Sequence, residues 1–332
     1  MTDSNPKRRT WRTSFGVRTL LVASLAAASF MGTYEYFTHD ESTVSAQSDS
    51  AGSTAKSTDE SPQFFAASQG DCLTWDVNDK GSVSNFQQAD CSSEHRFEVA
   101  STEDLEVYPT SEFGPDAPMP NQKRQAQLRQ ELCYGATIKY LDGKYDPAGR
   151  FDVAPILPPK NAWEQGDRTM LCGLQSVDNK GVAELTKGRV AEVDQANLAE
   201  PGMCREISDN QMLRNVDCAD PHQLETVSIV NLAEEFPDAY PSIEDQDKYL
   251  VDRCTNDAMD YLGGKEKLDE TTLQPYWGTV SEASWNSGTR SVNCSLMKAK
   301  DDGGSFSDIT GRATDGVGAL SINGQPPAPK PE

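Results

Sequence analysis

Histidine is scarce, with three residues in 332, and His39 lies ahead of the cysteine-bearing region. So few imidazoles exclude a multi-histidine metal centre. Neither His-Glu-x-x-His, nor Gly-x-Ser-x-Gly, nor a phosphate-cradling Gly-x-x-x-x-Gly-Lys-Ser/Thr occurs, so the common signatures of hydrolases and nucleotide binders are missing. Positive charge is also in short supply: 30 Lys and Arg face 52 Asp and Glu, a net charge of −22. Phosphate neutralisation needs clustered Lys and Arg, which argues against nucleic acid as a partner. Aliphatic, aromatic and Cys residues reach only 36%, so part of the chain is tail or linker. No Cys-x-x-Cys is present, which removes a thioredoxin-like redox site and a zinc ribbon.

One long uncharged run exists. Residues 1–18 form a basic N-terminus, and Thr19–Tyr34 then carries no charge. Tyr36 and Phe37 extend it, giving an expected transmembrane signal anchor at 19–37. The basic flank predicts a cytoplasmic N-terminus and an extracytoplasmic bulk in a single-pass membrane protein. The rival reading is a cleaved signal peptide, with Ala26-Ala27-Ala28 as small residues of the cleavage kind and a secreted product. The eight cysteines, all between 72 and 294, suit either address, because an even number in an exported chain reads as disulfides. Residues 38–68 read as a disordered linker, and 299–332 as a disordered tail.

Between these segments the chain repeats itself. Gly70-x-Cys72 recurs as Gly202-x-Cys204, and Asp90-Cys91-x-x-x-His95 as Asp217-Cys218-x-x-x-His222, with Glu98 and Glu225 three residues after each His. Cys133, Tyr140, Leu141, Gly143 and Lys144 recur at the same spacing as Cys254, Tyr261, Leu262, Gly264 and Lys265. Trp163, Gly166, Arg168, Cys172 and Leu174 recur as Trp285, Gly288, Arg290, Cys294 and Leu296. Four blocks in one order define two homologous modules, 69–175 and 201–298, joined by a linker, 176–200, in which Val182–Leu198 is a candidate helix.

Each module reads as α+β, a small antiparallel sheet with one packed helix and two disulfides. Alternation predicts strands over Cys72–Asp76, Ser82–Ala89 and His95–Ser101, then Cys204–Ile207, Leu213–Asp217 and Leu224–Leu232. Helices are expected over Asn121–Leu141 and Ser242–Leu262, stopped by Gly143 and Gly264. A proline-rich loop then leads to a last strand carrying Cys172 or Cys294. Four cysteines per module permit three pairings. We prefer Cys72–Cys91 and Cys133–Cys172, then Cys204–Cys218 and Cys254–Cys294, because the first of each pair clips a hairpin and the second pins the helix to the last strand.

These blocks resemble the septum formation family of actinobacteria. Gly70-Asp71-Cys72, Asp90-Cys91-Ser92-Ser93-Glu94-His95, Glu98-Val99 and Trp163 to Cys172 carry the likeness. The second copy departs at Met203 and Thr289, where the first has Asp71 and Asp167, and it contains Pro221-His222. The resemblance spans roughly residues 69–298. It implies a membrane-anchored envelope protein associated with division, and no defined reaction.

Candidate binding residues are His95, Glu98, Trp163, Arg168, His222, Glu225, Trp285 and Arg290. A His beside a Glu suits acid–base work or metal ligation. Three apart on a strand, however, the two side chains face opposite ways. The plainer reading is a His bonded to backbone where the strand begins. Arg168 near Trp163, and Arg290 near Trp285, could bind a carboxylate or a sugar ring. The plainer reading is a core Trp beside an Arg paired with an acid such as Asp167. No catalytic residue, metal or cofactor is assigned. The expected function is a non-catalytic envelope scaffold or interaction module with division or wall-assembly proteins as partners. The alternatives are an exported enzyme acting on wall glycan or peptide, and a sensor of an unknown small-molecule ligand.

Overall fold

The structure, a computed structural model, describes residues 67–78, 81–208, 212–300 and 304–327. The expected anchor at 19–37, the basic N-terminus 1–18 and nearly all of the linker 38–68 lie outside the described residues. Among the described residues no helix is long and apolar enough to cross a membrane. They fall into two compact units divided in sequence at Ala196/Asn197, with Ala283–Thr289 grouped with the first.

In module one, β1 (Cys72–Val77) and β2 (Val83–Ala89) form a hairpin. A short β3 (Glu94–His95) precedes β4 (Phe97–Asp104), and β5 (Phe151–Ile156) and β6 (Thr169–Ser176) complete an antiparallel sheet ordered β2-β1-β4-β6-β5. The extra residue pair β7 (Thr186–Lys187) returns to pair with β3. Module two repeats the plan. Strands β8 (Cys204–Ile207), β9 (Leu213–Val216), β10 (Leu224–Asn231), β11 (Gln274–Trp277) and β12 (Ser291–Met297) are ordered β11-β12-β10-β8-β9. Strands β13 (Ile309–Thr310) and β14 (Ser321–Ile322) follow as a separate pair.

The helices lie where their caps and periodicity place them. Asn121 accepts a hydrogen bond from the Arg124 amide and starts Gln122–Leu128, which continues through a π turn at Arg129–Cys133 into Tyr134–Tyr140. Ser242 caps Ile243–Leu262 through the Asp245 amide. Leu128, Cys133 and Leu141 are buried against Phe151, Val153, Met170 and Cys172 on one face of the first sheet. Leu73, Trp75, Phe97, Val99 and Leu171 form a second cluster on the other face. Four disulfides join Cys72–Cys91, Cys133–Cys172, Cys204–Cys218 and Cys254–Cys294, the preferred pairing. Bridges of this kind are worth about 2–4 kcal/mol each and matter most in domains too small for a large core.

Several expectations need correction. The proline-rich loop of module one contains a further strand, β5, because Pro155 occupies an edge position where no ladder donor is needed. The second long helix ends at Gly263, in the left-handed region at φ 84°, and Gly264 starts another helix, Lys265–Thr271. The linker 176–200 has no helix over Val182–Leu198. Its backbone is used instead in the bridge Val177–Ala183 and in the β7–β3 pairing. The segment 299–332 is likewise not a tail throughout: 304–327 folds onto module two. Ala299 bridges Phe306, and both cover Leu224, Tyr276 and Met297, while Ile309 bridges His222. Apolar side chains on the second sheet face need this cover, which a sequence rich in Gly, Asp and Ser concealed.

Ending the chain at Lys298 should therefore destabilise module two by roughly 3 kcal/mol or more, since it uncovers an apolar face and strips the Ala313 amide from the buried carboxylate of Glu225. Urea unfolding of the full and shortened chains checks this. An unchanged midpoint would restore the tail reading.

Candidate functional site

The repeated His and Glu meet at the start of the central strand. A bend at Arg96 separates β3 from β4, and Gln223 bends in the same place before β10. The bend resets strand alternation, so the opposite-face expectation fails. Ligand-type atoms of Cys72, His95 and Glu98 lie within 4.8 Å of one another, and those of Cys204, His222 and Glu225 do the same. All six residues are buried.

What surrounds them decides their chemistry. Glu98 Oε1 accepts from the Tyr140 hydroxyl at 2.6 Å, and Oε2 accepts from the Val190 amide at 2.8 Å. Glu225 repeats this with the Tyr261 hydroxyl at 2.7 Å and the Ala313 amide at 2.8 Å. Arg189 donates to the Gly70 carbonyl at 2.8 Å and to the Tyr140 hydroxyl at 3.3 Å, with its guanidinium 3.9 Å from Glu98. Arg312 donates to the Gly202 carbonyl at 2.6 Å. Gly70 and Gly202 both sit at φ 88°, a conformation that side chains rarely adopt, and so turn their carbonyls toward the arginines. Each His offers Nδ1 to a backbone carbonyl at 2.9 Å, Ser93 for His95 and Asp220 for His222. A carbonyl only accepts, so Nδ1 carries the hydrogen.

This arrangement does not suit a metal in the oxidised chain. Cys72 and Cys204 are in disulfides and have no thiolate to offer, and both oxygens of each Glu already accept bonds. The cluster works as a latch. One carboxylate ties the central strand to the helix through Tyr and to the returning segment through a backbone amide.

Trp163 and Arg168 form a second bonded unit. The guanidinium lies 4.0 Å from the Trp163 ring centroid and donates to the carbonyls of Phe113, Gly114, Pro115, Trp163 and Asp167. The Trp163 indole donates to the Ala117 carbonyl at 2.8 Å. The Asp167 carboxylate caps the Thr169 amide instead of pairing with Arg168. Trp285 is buried on the helix Glu282–Ser287, and Arg290 is half-buried, its carbonyl accepting from the Leu232 amide.

Spacing along the chain does not mark Tyr140, Tyr261, Arg189 or Arg312 as site residues. The tyrosines stand inside a repeated block. The arginines belong to a fifth block, Gly188-Arg189 and Gly311-Arg312, whose glycine amides donate to the equivalent carbonyls of Cys91 and Cys218. Its two-residue length, and a one-residue difference in distance from the preceding Cys, hid it.

The sequence pattern of a family described as septum formation matches residues 69–294. The chain belongs to the septum formation family. Two Mycobacterium tuberculosis proteins, from strains CDC 1551 and H37Rv, are each named an uncharacterized membrane protein. Both are 40% identical to it over 273 residues, which is 81% of this chain and 59% of theirs. The chain thus spans under two thirds of the length of these relatives. No solved structure matches. The match covers both septum formation modules and stops at Cys294, so the segment that completes the second latch lies beyond it.

Burial, then the bond to Glu98, pushes the Tyr140 hydroxyl up to about 12, and Tyr261 rises above its ordinary value for the same reasons. The fold holds these protons after the unfolded chain would release them near pH 10, so stability falls as pH rises from there through the folded value. Tyr140→Phe should remove one late-titrating phenol from the ultraviolet titration and cost about 1–3 kcal/mol by leaving Glu98 short of a donor. Loss of an early-titrating phenol would contradict the latch.

Burial holds His222 below its ordinary 6.5, outweighing the Asp220 carbonyl, Glu225 and Asp308, while Arg312 adds to the lowering. Its contribution is full above that value and is lost as pH falls below it, where the unfolded chain takes up the proton first. Module two should therefore weaken between pH 7 and 5, and this component should vanish in His222→Gln, read by denaturation midpoints across that range.

Proposed function

We propose that this chain is a membrane-anchored, extracytoplasmic, non-catalytic protein of the cell envelope, a scaffold or interaction module associated with septum formation. One observation carries the reading: the buried Glu, Tyr and Arg that form the latch in each module are spent on bonds inside that module. The Glu oxygens, the Tyr hydroxyls, Arg189 and Arg312 all end in bonds within their own module, as does the Arg168 guanidinium in module one. What such a frame presents to other molecules is its surface. Family membership supports the link to the septum, and the printed names of the tuberculosis proteins support the membrane. The uncharged run at Thr19–Tyr34 and the four disulfides fit an anchored, exported chain.

The test is location in dividing cells. A fluorescent tag tolerated outside the membrane belongs after residue 327, past the segment that packs on module two. We expect a band at the division site, and no soluble fragments when purified full-length chain is incubated with cell walls. An even outline would remove the septal association, and released fragments would make it a wall enzyme.

A further inference from the structure

The two modules share a frame but differ on the sheet face away from the helix. In module one that face is apolar, with Leu73 next to Cys72, Val99 next to Glu98 and Leu171 before Cys172 all in one buried cluster. The equivalent positions in module two, counted from Cys204, Glu225 and Cys294, are Arg205, Thr226 and Asn293. Arg205 is 4% exposed and Thr226 is fully buried. Leu224 stands directly across from Arg205 on β10, and Thr226 lies two residues further along the same face.

A buried guanidinium needs a counter-charge, since taking one out of water costs several kcal/mol and arginine stays protonated. Burial lowers Arg205 to about 10, still charged at neutral pH, and no neighbouring carboxylate offsets that lowering. Among the described residues Arg205 has no ion pair, and its one side-chain hydrogen bond is a long one, 3.4 Å from Nη2 to the side-chain oxygen of Asn197. Among the same described residues its Nε has no partner, nor has the Thr226 hydroxyl. Nε and Nη2 form one edge of the guanidinium, the fork that takes a carboxylate through two parallel bonds. That edge is therefore only half filled, its Nη2 by the long bond to Asn197 and its Nε by nothing. Its Nη2 reaches Asn197, an exposed residue, which places the fork next to the surface.

We propose that module two binds a carboxylate group at Arg205, held in the Nε–Nη2 fork, with the Thr226 hydroxyl as a further donor and Asn197 giving way at the rim. Module one has no such site, because Leu73 fills the position. The duplication thus kept one copy as a packed frame and placed a ligand position in the other. The ligand class is a small carboxylate or the carboxylate end of a larger molecule.

Calorimetric titration of the full-length chain with sodium acetate, and separately with inorganic phosphate, at pH 7 and constant ionic strength tests this. We expect one acetate site per chain and a melting temperature that rises with acetate. Arg205→Leu, which installs the residue of module one, should abolish both responses while melting no lower than the original chain without acetate. Thr226→Val should weaken acetate binding about tenfold or more, the loss of one hydrogen bond to a charged acceptor. Acetate binding unchanged in Arg205→Leu overturns the site. No response of the original chain to either anion also overturns it and leaves a buried water as the partner of Nε. Phosphate binding more tightly than acetate overturns the carboxylate assignment. If Arg205→Leu fails to fold, Arg205→Lys decides: it keeps the charge but lacks the fork, so acetate affinity should fall about tenfold, and an unchanged affinity counts against the proposal.

Discussion

A buried carboxylate at the head of the central strand organises each module. Glu98 and Glu225 are withdrawn from water, and an unsatisfied carboxylate there would cost several kcal/mol. Both oxygens are therefore met by donors from distant parts of the chain, a tyrosine at the end of the long helix and an amide in a segment that returns after the last strand. These two demands bring together the helix, the sheet and the strap. They also explain why Tyr, Glu and the Gly before the first Cys travel with the cysteines in both copies. The Gly carbonyl accepts the strap arginine, and the disulfide beside it holds the hairpin in place.

The strap gives the modules their true extent. Residues 177–190, and in module two Ala299 with 304–313, do the same work in their modules: a bridge over the second sheet face, a pairing with the His-bearing residues, then Gly-Arg into the latch. Each repeat is thus a sheet, a helix and a strap, and the segment after module one belongs to that module. Within this shared frame the copies have diverged. Module one keeps Arg168 in a cage of five carbonyls beside Trp163 and an apolar second face. Module two has Thr289 for Asp167 and a charged residue, Arg205, where Leu73 lies in the other copy. A frame held by repeated internal bonds tolerates such changes on its faces.

Much of this was legible in the sequence, and the reasons are local or covalent. Repeated spacing revealed two modules, the helix caps at Asn121 and Ser242 gave the starts of the long helices, and alternation located the first strands of each copy. The elements that carry each Cys favoured one disulfide pairing of the three open in each module, and the structure has that one. What stayed hidden depended on contacts distant in sequence. Pro155 disguised an edge strand. Gly-Arg was too short to register as a repeat. The Gly, Asp and Ser of 301–305 masked the cover over Leu224, Tyr276 and Met297.

The sequence by itself determined the duplication and the α+β class, since both rest on spacing or near neighbours, and it reduced the disulfides to a preferred pairing among three in each module. Only the tertiary structure decided the roles of the polar residues. A bend at Arg96 turned His95 and Glu98 toward one another against strand alternation. Residues 92 positions downstream of Glu98 supplied its amide donor. Whether a buried Glu acts as a ligand, a base or a latch depends on which donors reach it, and those donors come from segments that spacing along the chain does not connect.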